Sequence, residues 1–230
     1  MNELSVVLEE QMNLPSISAA LPENFNKARF VQNCMALMND KPELKKREQG
    51  EVVNGLLKGA FLGLDFFNGE CHLVPYGSEL KFFADYKGLV KLAKTYSVRP
   101  VADIYARIVR EGDVFEEKIV SGEQTIDFKP VPFNEGKILG AFAVCQYEDG
   151  GIRYEVMSKK ELDAAKRMSK AQNGSAWQFF SEEMYKKIVI RRLCKGISLN
   201  FENPKQTELF TGDEKIVEGE AKEVDNPFGS

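Results

Sequence analysis

The sequence is poor in the groups on which most catalysis depends. Its 230 residues include one histidine, His72, one tryptophan, Trp177, and four cysteines, Cys34, Cys71, Cys145 and Cys194, with no CxxC or other metal-ligand spacing. Each cysteine stands among apolar neighbours, the setting of a small core residue in a reducing compartment, so a cytoplasmic protein is expected. His72 lies in a strand-like run beside Val74 and Pro75, without the Ser or Cys partner of a nucleophile–base pair. No apolar run approaches the roughly 18 residues of a membrane span, and no signal peptide is visible, so no membrane partner is expected. The phosphate-cradling pattern G-x-x-x-x-G-K-[ST] is also missing; Gly55-Leu-Leu-Lys-Gly shares only its composition. An ATP-driven motor of the P-loop type is thereby disfavoured, and no metal or cofactor is expected.

What the chain does have is segregated charge. Its net charge of −4 hides an acidic end: residues 205–230 hold seven acids and three lysines, and the remaining 204 residues balance at zero. Inside that neutral body, residues 81–99 carry Lys81, Lys87, Lys91, Lys94 and Arg99 against Asp85 alone, with Phe82, Phe83, Tyr86 and Tyr96 interleaved. Residues 153–195 carry eleven Lys/Arg against five acids, around Trp177. Cations neutralise phosphates and rings stack on splayed bases, so this coincidence is the equipment of a single-strand groove. Local fields of one sign also steer charged ligands.

Periodicity and turn chemistry divide the chain. Residues 1–22 have little periodicity and two prolines, and read as a flexible arm with at most a short helix at its start. Asn24 is the expected cap of a helix over Lys27–Met38, and residues 39–50 read as a loop. Val52–Leu64 is strongly apolar, with Gly55, Gly59 and Gly63 spaced for close packing. Cys71–Tyr76 and Glu79–Phe83 form a predicted hairpin, and Asp85 caps a helix through Tyr96 with Lys87, Lys91 and Lys94 along one stripe. Alternation predicts strands before and after Glu111–Asp113, a strand over Thr125–Lys129, and a hairpin of Lys137–Tyr147 with Ile152–Met157. Ser158 and Glu161 make a capping box for a helix to about Met168. Ala176–Lys195 reads as one long amphipathic helix. Residues 23–204 then form the main domain and residues 205–230 a disordered acidic tail. The fold class expected is α+β, an antiparallel sheet and hairpins flanked by helices.

One catalytic pattern competes. Asp65, then Glu79-x-Lys81, has the order used by Mg²⁺-dependent nucleases, two carboxylates for the metal and a lysine near the attacking water. A solvated hairpin explains the same residues. A passive single-strand-binding module is a third reading.

The run from Val52 to Ala93 resembles the phage RecT family of single-strand annealing proteins. The pieces that carry the resemblance are Gly63-Leu64-Asp65, Leu73-Val74-Pro75-Tyr76, and Tyr86-Lys87-Gly88 with Leu92-Ala93 behind it. Glu111-Gly112-Asp113, Glu183-Met184-Tyr185-Lys186-Lys187 and Val189-Ile190-Arg191-Arg192-Leu193 extend it across residues 25–200. The chain departs from the family at Ile188, commonly Thr, and in lacking an aromatic nearer Lys170. The resemblance implies an α+β fold related to the annealing-protein superfamily, with no nuclease or ATPase activity. It implies homo-oligomeric rings or helical filaments on single-stranded DNA and on the annealed duplex intermediate. It also implies a phage 5′→3′ exonuclease and a host single-strand-binding protein as partners. On that footing Lys87, Lys91 and Lys94 form one phosphate track, extended by Arg99, Arg107 and Arg110. Lys186, Lys187 and Arg191 form a second surface, with Lys166, Arg167 and Lys170 at its entrance. Tyr86 and Trp177 are the candidates for stacking on bases. Residues 1–22 and Val52–Leu64 are candidate subunit contacts.

Overall fold

Helix formation dominates the first third of the chain, and each helix ends where local chemistry stops it. In the computed structural model, which describes residues 3–169 and 172–211, α1 spans Glu3–Asn13, α2 Pro15–Ser18 and α3 Lys27–Asp40. The cap of α3 is Asn26, whose side chain accepts the Arg29 N–H; Asn24, the expected cap, instead adopts φ +60°. The loop expected over 39–50 contains a single 3₁₀ turn, Leu44–Lys46. Glu48 then caps α4, Gln49–Leu62, by accepting from Gly50 and Glu51 N–H, and Gly63 closes it in the left-handed conformation at φ +66°.

The residues described divide into two compact units. One runs to Gly88 and resumes at Phe201; the other is Leu89–Asn200. In the first unit, β1 (Cys71–Tyr76) and β2 (Glu79–Ala84) pair antiparallel and pack on α4. Gly55 and Gly59 make room for that packing: a Cβ at Gly55 would lie 2.8 Å from Leu73, and one at Gly59 2.6 Å from Phe66. The glycine spacing of α4 thus serves packing inside its own unit. Nor are residues 3–13 a free arm: Leu8 and Met12 have no exposed surface, and α1 packs on α3 and α4. Each such burial stabilises by about 1.5–3 kcal/mol, enough to hold a short helix down. A helix covers residues 204–211, so residues 205–211, expected to begin a disordered tail, are helical; residues 212–230 lie outside the described residues.

The second unit is built on β6 (Ile138–Tyr147), which pairs antiparallel with β3 (Val101–Arg110) on one side and β7 (Ile152–Ser158) on the other. Strand alternation splits the sheet into two faces. Ala141, Ala143 and Cys145 of β6 are small and fully buried beneath α6 (Lys159–Met168) and α8 (Ser181–Lys195). Phe142 and Val144 point the other way, toward a hairpin of β4 (Val114–Val120) and β5 (Glu123–Lys129). The helix expected over 176–195 is broken at Phe180 (φ −132°, ψ 39°) into α7, Ser175–Phe179, and α8. In one continuous helix Trp177 and Tyr185 would be separated by about 12 Å along the axis. The break brings their ring centroids to 5.5 Å. The fold is α+β with antiparallel sheets.

Candidate nucleic-acid interface

The β4–β5 hairpin is laid on the sheet by aromatic packing. Phe142 has its ring centroid 5.2 Å from that of Phe115 and 5.0 Å from that of Phe128. Register places Arg107 opposite Phe142 and Tyr105 opposite Val144, so both β3 side chains emerge on the hairpin's side. The hairpin covers only part of that face. Beside it lies a trough of about 590 Å³ lined by Tyr105, Arg107, Phe128, Phe142, Val144 and Gln146, among others. A smaller cavity of about 210 Å³ shares Arg107, Ile108 and Pro130 and extends to Arg110, Asn134 and Lys186.

The cations here are not equivalent. Arg110 is spent on the fold, donating to Gly136 O at 2.7 Å and to Glu182 at 2.5 Å. Lys186 pairs with Glu183. Arg107 is exposed and has no hydrogen-bond or ion-pair partner among the described residues; its guanidinium lies 5.9 Å from the Tyr105 ring centroid. An unpaired guanidinium beside a half-buried ring, on an otherwise apolar floor, can meet a phosphate and a base together.

The loop that closes the smaller cavity is braced by Asp113. Desolvation opposes ionisation, but hydrogen bonds from Val131 N, Arg110 N and Asn134 Nδ2 outweigh it and hold the carboxyl below its usual range.

The other expected contact residues fall into distinct settings. Lys87, Lys91 and Lys94 are all exposed on α5 (Tyr86–Tyr96), and Lys94 pairs with Asp103 at 3.0 Å. Tyr86 is half-buried at the start of that helix. Gly88, two residues on, has no room for a side chain: a Cβ there would stand 2.2 Å from Glu70 O. Arg99 is a strut, forked onto Asp149 with two 2.5 Å hydrogen bonds and stacked 4.2 Å from the Tyr147 centroid. That hydrogen bonding keeps the Asp149 carboxyl below its usual range. Trp177 is 4% exposed, packed on Tyr185, with Lys166 5.2 Å from its centroid. It is a core ring here, not one displayed to a base. Beyond it, Asp163 accepts from Lys159 Nζ at 2.5 Å and from Tyr185 OH at 2.7 Å. Arg167 is exposed at the end of α6, Lys187 and Arg191 are half-buried on α8, and Lys170 lies outside the described residues.

The rings the sequence reading passed over are the displayed ones. Phe179 is 74% exposed, Phe180 64% and Phe133 fully so. In a continuous helix Phe180 would share the apolar side with Trp177 and Met184; the break at Phe180 turns its ring out instead. Phe133 directly follows Pro132, whereas Phe179 and Phe180 stand between Gln178 and Ser181 with no local marker of their exposure.

The nuclease pattern gains no support from its surroundings. Asp65 is engaged in a turn, accepting from Asn33 Nδ2 at 2.6 Å, Phe67 N at 2.8 Å and Asn68 Nδ2 at 3.3 Å. Lys81 lies over the Tyr76 ring at 4.1 Å. Burial holds the Cys194 thiol protonated, pushed up to about 12, and pushes Cys34 up as well. No helix among the described residues is long and apolar enough to cross a membrane.

Comparison with known proteins places this geometry in context. The RecT family matches over residues 28–226. Protein RecT of Escherichia coli (strain K12) is 28% identical over 237 residues, covering 94% of this chain and 87% of the relative.

Proposed function

The chain belongs to the RecT family, and from that premise we propose that it binds single-stranded DNA and anneals complementary strands in homologous recombination, without ATP. The observation that carries this reading is the trough beside the β4–β5 hairpin, where Arg107 stands unpaired next to Tyr105. Annealing makes and breaks no covalent bond, so the chain acts as a binding protein rather than an enzyme. Its barrier is the mutual repulsion of two polyanions and the secondary structure of each strand. Cations lower the first, and an extended backbone held against rings removes the second. The nascent duplex then drives pairing, with stacking of about 1.4 kcal/mol per base-pair step.

Arg107 is the residue assigned to phosphate in the trough. Lys87 and Lys91 on α5, and Lys166, Arg167, Lys187 and Arg191 on α6 and α8, supply further positive surface, and Lys170 stays a candidate on its charge alone. Phe179 and Phe180 replace Trp177 as stacking candidates on that surface. Assembly as a ring or helical filament is part of the reading, as are a 5′→3′ exonuclease that supplies the strand and a host single-strand-binding protein as partners.

The test is annealing of two complementary oligonucleotides followed by fluorescence quenching, without nucleotide, at low and high salt. Acceleration without cleavage, greatest when the protein meets one strand before the other, is the expected result. Tight binding with slowed pairing would make the chain a passive binder, and shortened products would restore the nuclease reading.

A further inference from the structure

Phe133 is held in a way the fold alone does not explain. Its ring is fully exposed, so it contributes nothing to a core. Its backbone sits at φ +54°, a left-handed conformation that a bulky L-residue adopts only under strain. The loop around it is nevertheless rigid. Pro130 and Pro132 fix two φ angles in the run Pro-Val-Pro-Phe. Val131 N donates to Asp113 Oδ1 at 2.9 Å, and Asn134 Nδ2 donates to Asp113 Oδ1 at 2.8 Å and to Glu111 O at 3.1 Å. Gly136 N donates to Asn134 Oδ1 at 2.7 Å. Anchors at Val131 and Asn134 thus flank Phe133 on both sides. The same two residues line the cavity that Arg107 and Lys186 share. The acids of that cavity face inward, Asp113 onto the loop and Glu182 onto Arg110.

We propose that Phe133 is a pre-positioned stacking ring for a base of the bound strand, carried on the loop that lines the smaller cavity, whose phosphate ligand is Arg107. The inference rests on the single-strand-binding reading above. A ring whose backbone is anchored before binding leaves only its side-chain torsions to order when a base stacks on it, and every base offers a face. Backbone strain and an exposed ring are then the cost of readiness. A subunit contact is the competing occupant, but the loop's inner side belongs to the cavity that carries Arg107, whose guanidinium is free for a phosphate among the described residues, which suits a nucleic acid better.

The experiment compares Phe133→Ala, Phe133→Trp and Phe133→Asn with the unmodified chain. Affinity is measured for oligo(dT) and for an abasic strand of equal length. Phe133→Ala is expected to weaken oligo(dT) binding roughly 5- to 150-fold, leaving the salt slope and abasic binding unchanged. Phe133→Trp should retain affinity and show fluorescence quenching on oligo(dT), above the background of buried Trp177. Phe133→Asn, which tolerates the left-handed backbone, should melt no lower than the unmodified chain and bind as weakly as Phe133→Ala. Full oligo(dT) affinity in Phe133→Ala overturns the inference while leaving the annealing reading standing. Smaller assemblies by light scattering with unchanged DNA affinity overturn it in favour of a subunit contact. An unmodified chain that binds no single strand removes the annealing reading itself, and this inference with it.

Discussion

Arg107 on β3 and Arg99 just before it are expected from the sequence to do the same job; the structure separates them into an experiment. Arg107 is exposed and has no hydrogen-bond or ion-pair partner among the described residues, so Arg107→Ala removes only a 5.9 Å cation–π contact with Tyr105, and stability should stay within about 0.5 kcal/mol. If its guanidinium meets one phosphate, its loss lowers the slope of log affinity against log salt by about 0.7, the single-strand value per contact. Between 50 and 200 mM salt, the ratio of unmodified to variant affinity should then shrink by about 2.6-fold. Arg99→Ala is the counterpart. Its charge is already forked onto Asp149, so the salt slope should be unchanged and a modest loss of stability should appear instead. Fluorescence anisotropy with labelled oligo(dT) at four salt concentrations measures both slopes, and thermal melts measure both stabilities. An unchanged slope in Arg107→Ala, or a lowered one in Arg99→Ala, would refute the assignment of Arg107 to phosphate and Arg99 to the fold.

Three further outcomes are expected. Leu8→Ala should destabilise by about 2–5 kcal/mol because Leu8 is wholly buried, while the more exposed Val6→Ala should change little; equal urea midpoints for the two would mean that α1 is not docked. Gly88→Ala should destabilise by at least about 1–3 kcal/mol, because the new Cβ meets Glu70 O; a wild-type melt would show that this backbone yields. The Asp163 carboxyl is held below its usual range, first by the Lys159 hydrogen bond and then, against desolvation, by Tyr185 OH. Its stabilising contribution is therefore full above the unfolded value near pH 3.9 and is lost as pH falls through the lower folded value. Trp177 fluorescence followed from pH 6 to pH 2 should report that loss, and Asp163→Asn should remove that part of the profile.

The elements that were legible in the sequence are those specified by short-range chemistry. The β1–β2 hairpin, the Ser158–Glu161 capping box, and the strands on either side of Glu111–Asp113 all stand where alternation and turn residues put them. Misreadings arose where a distant residue decides. Residues 3–13 have weak periodicity of their own and become a helix because α3 and α4 offer an apolar surface. The break at Phe180 follows from the Trp177–Tyr185 contact, which no helical wheel encodes. At the candidate site, the sequence offered the cations but not their partners. Arg99 and Arg107 look alike as letters; only the fold puts Asp149 beside one and leaves the other without an ion-pair partner among the described residues. Likewise an aromatic residue is a ring in either setting, and burial alone separates Trp177 from Phe133.

The first unit is closed by a residue that arrives late. Gln206 is wholly buried, its Nε2 donating to Phe61 O at 3.0 Å and its Oε1 accepting from Glu202 N at 3.0 Å. On the ribosome, everything through Gly88 emerges long before that clasp, with Leu89–Asn200 translated in between. At about 5–20 residues per second the wait is roughly 6–24 s. During that interval the helices at the start of the chain stand with the Phe61 carbonyl unfastened, while the interposed residues have time to complete their own sheet. Order of synthesis thus makes the inserted unit the earlier finished product and the outer one the last to lock.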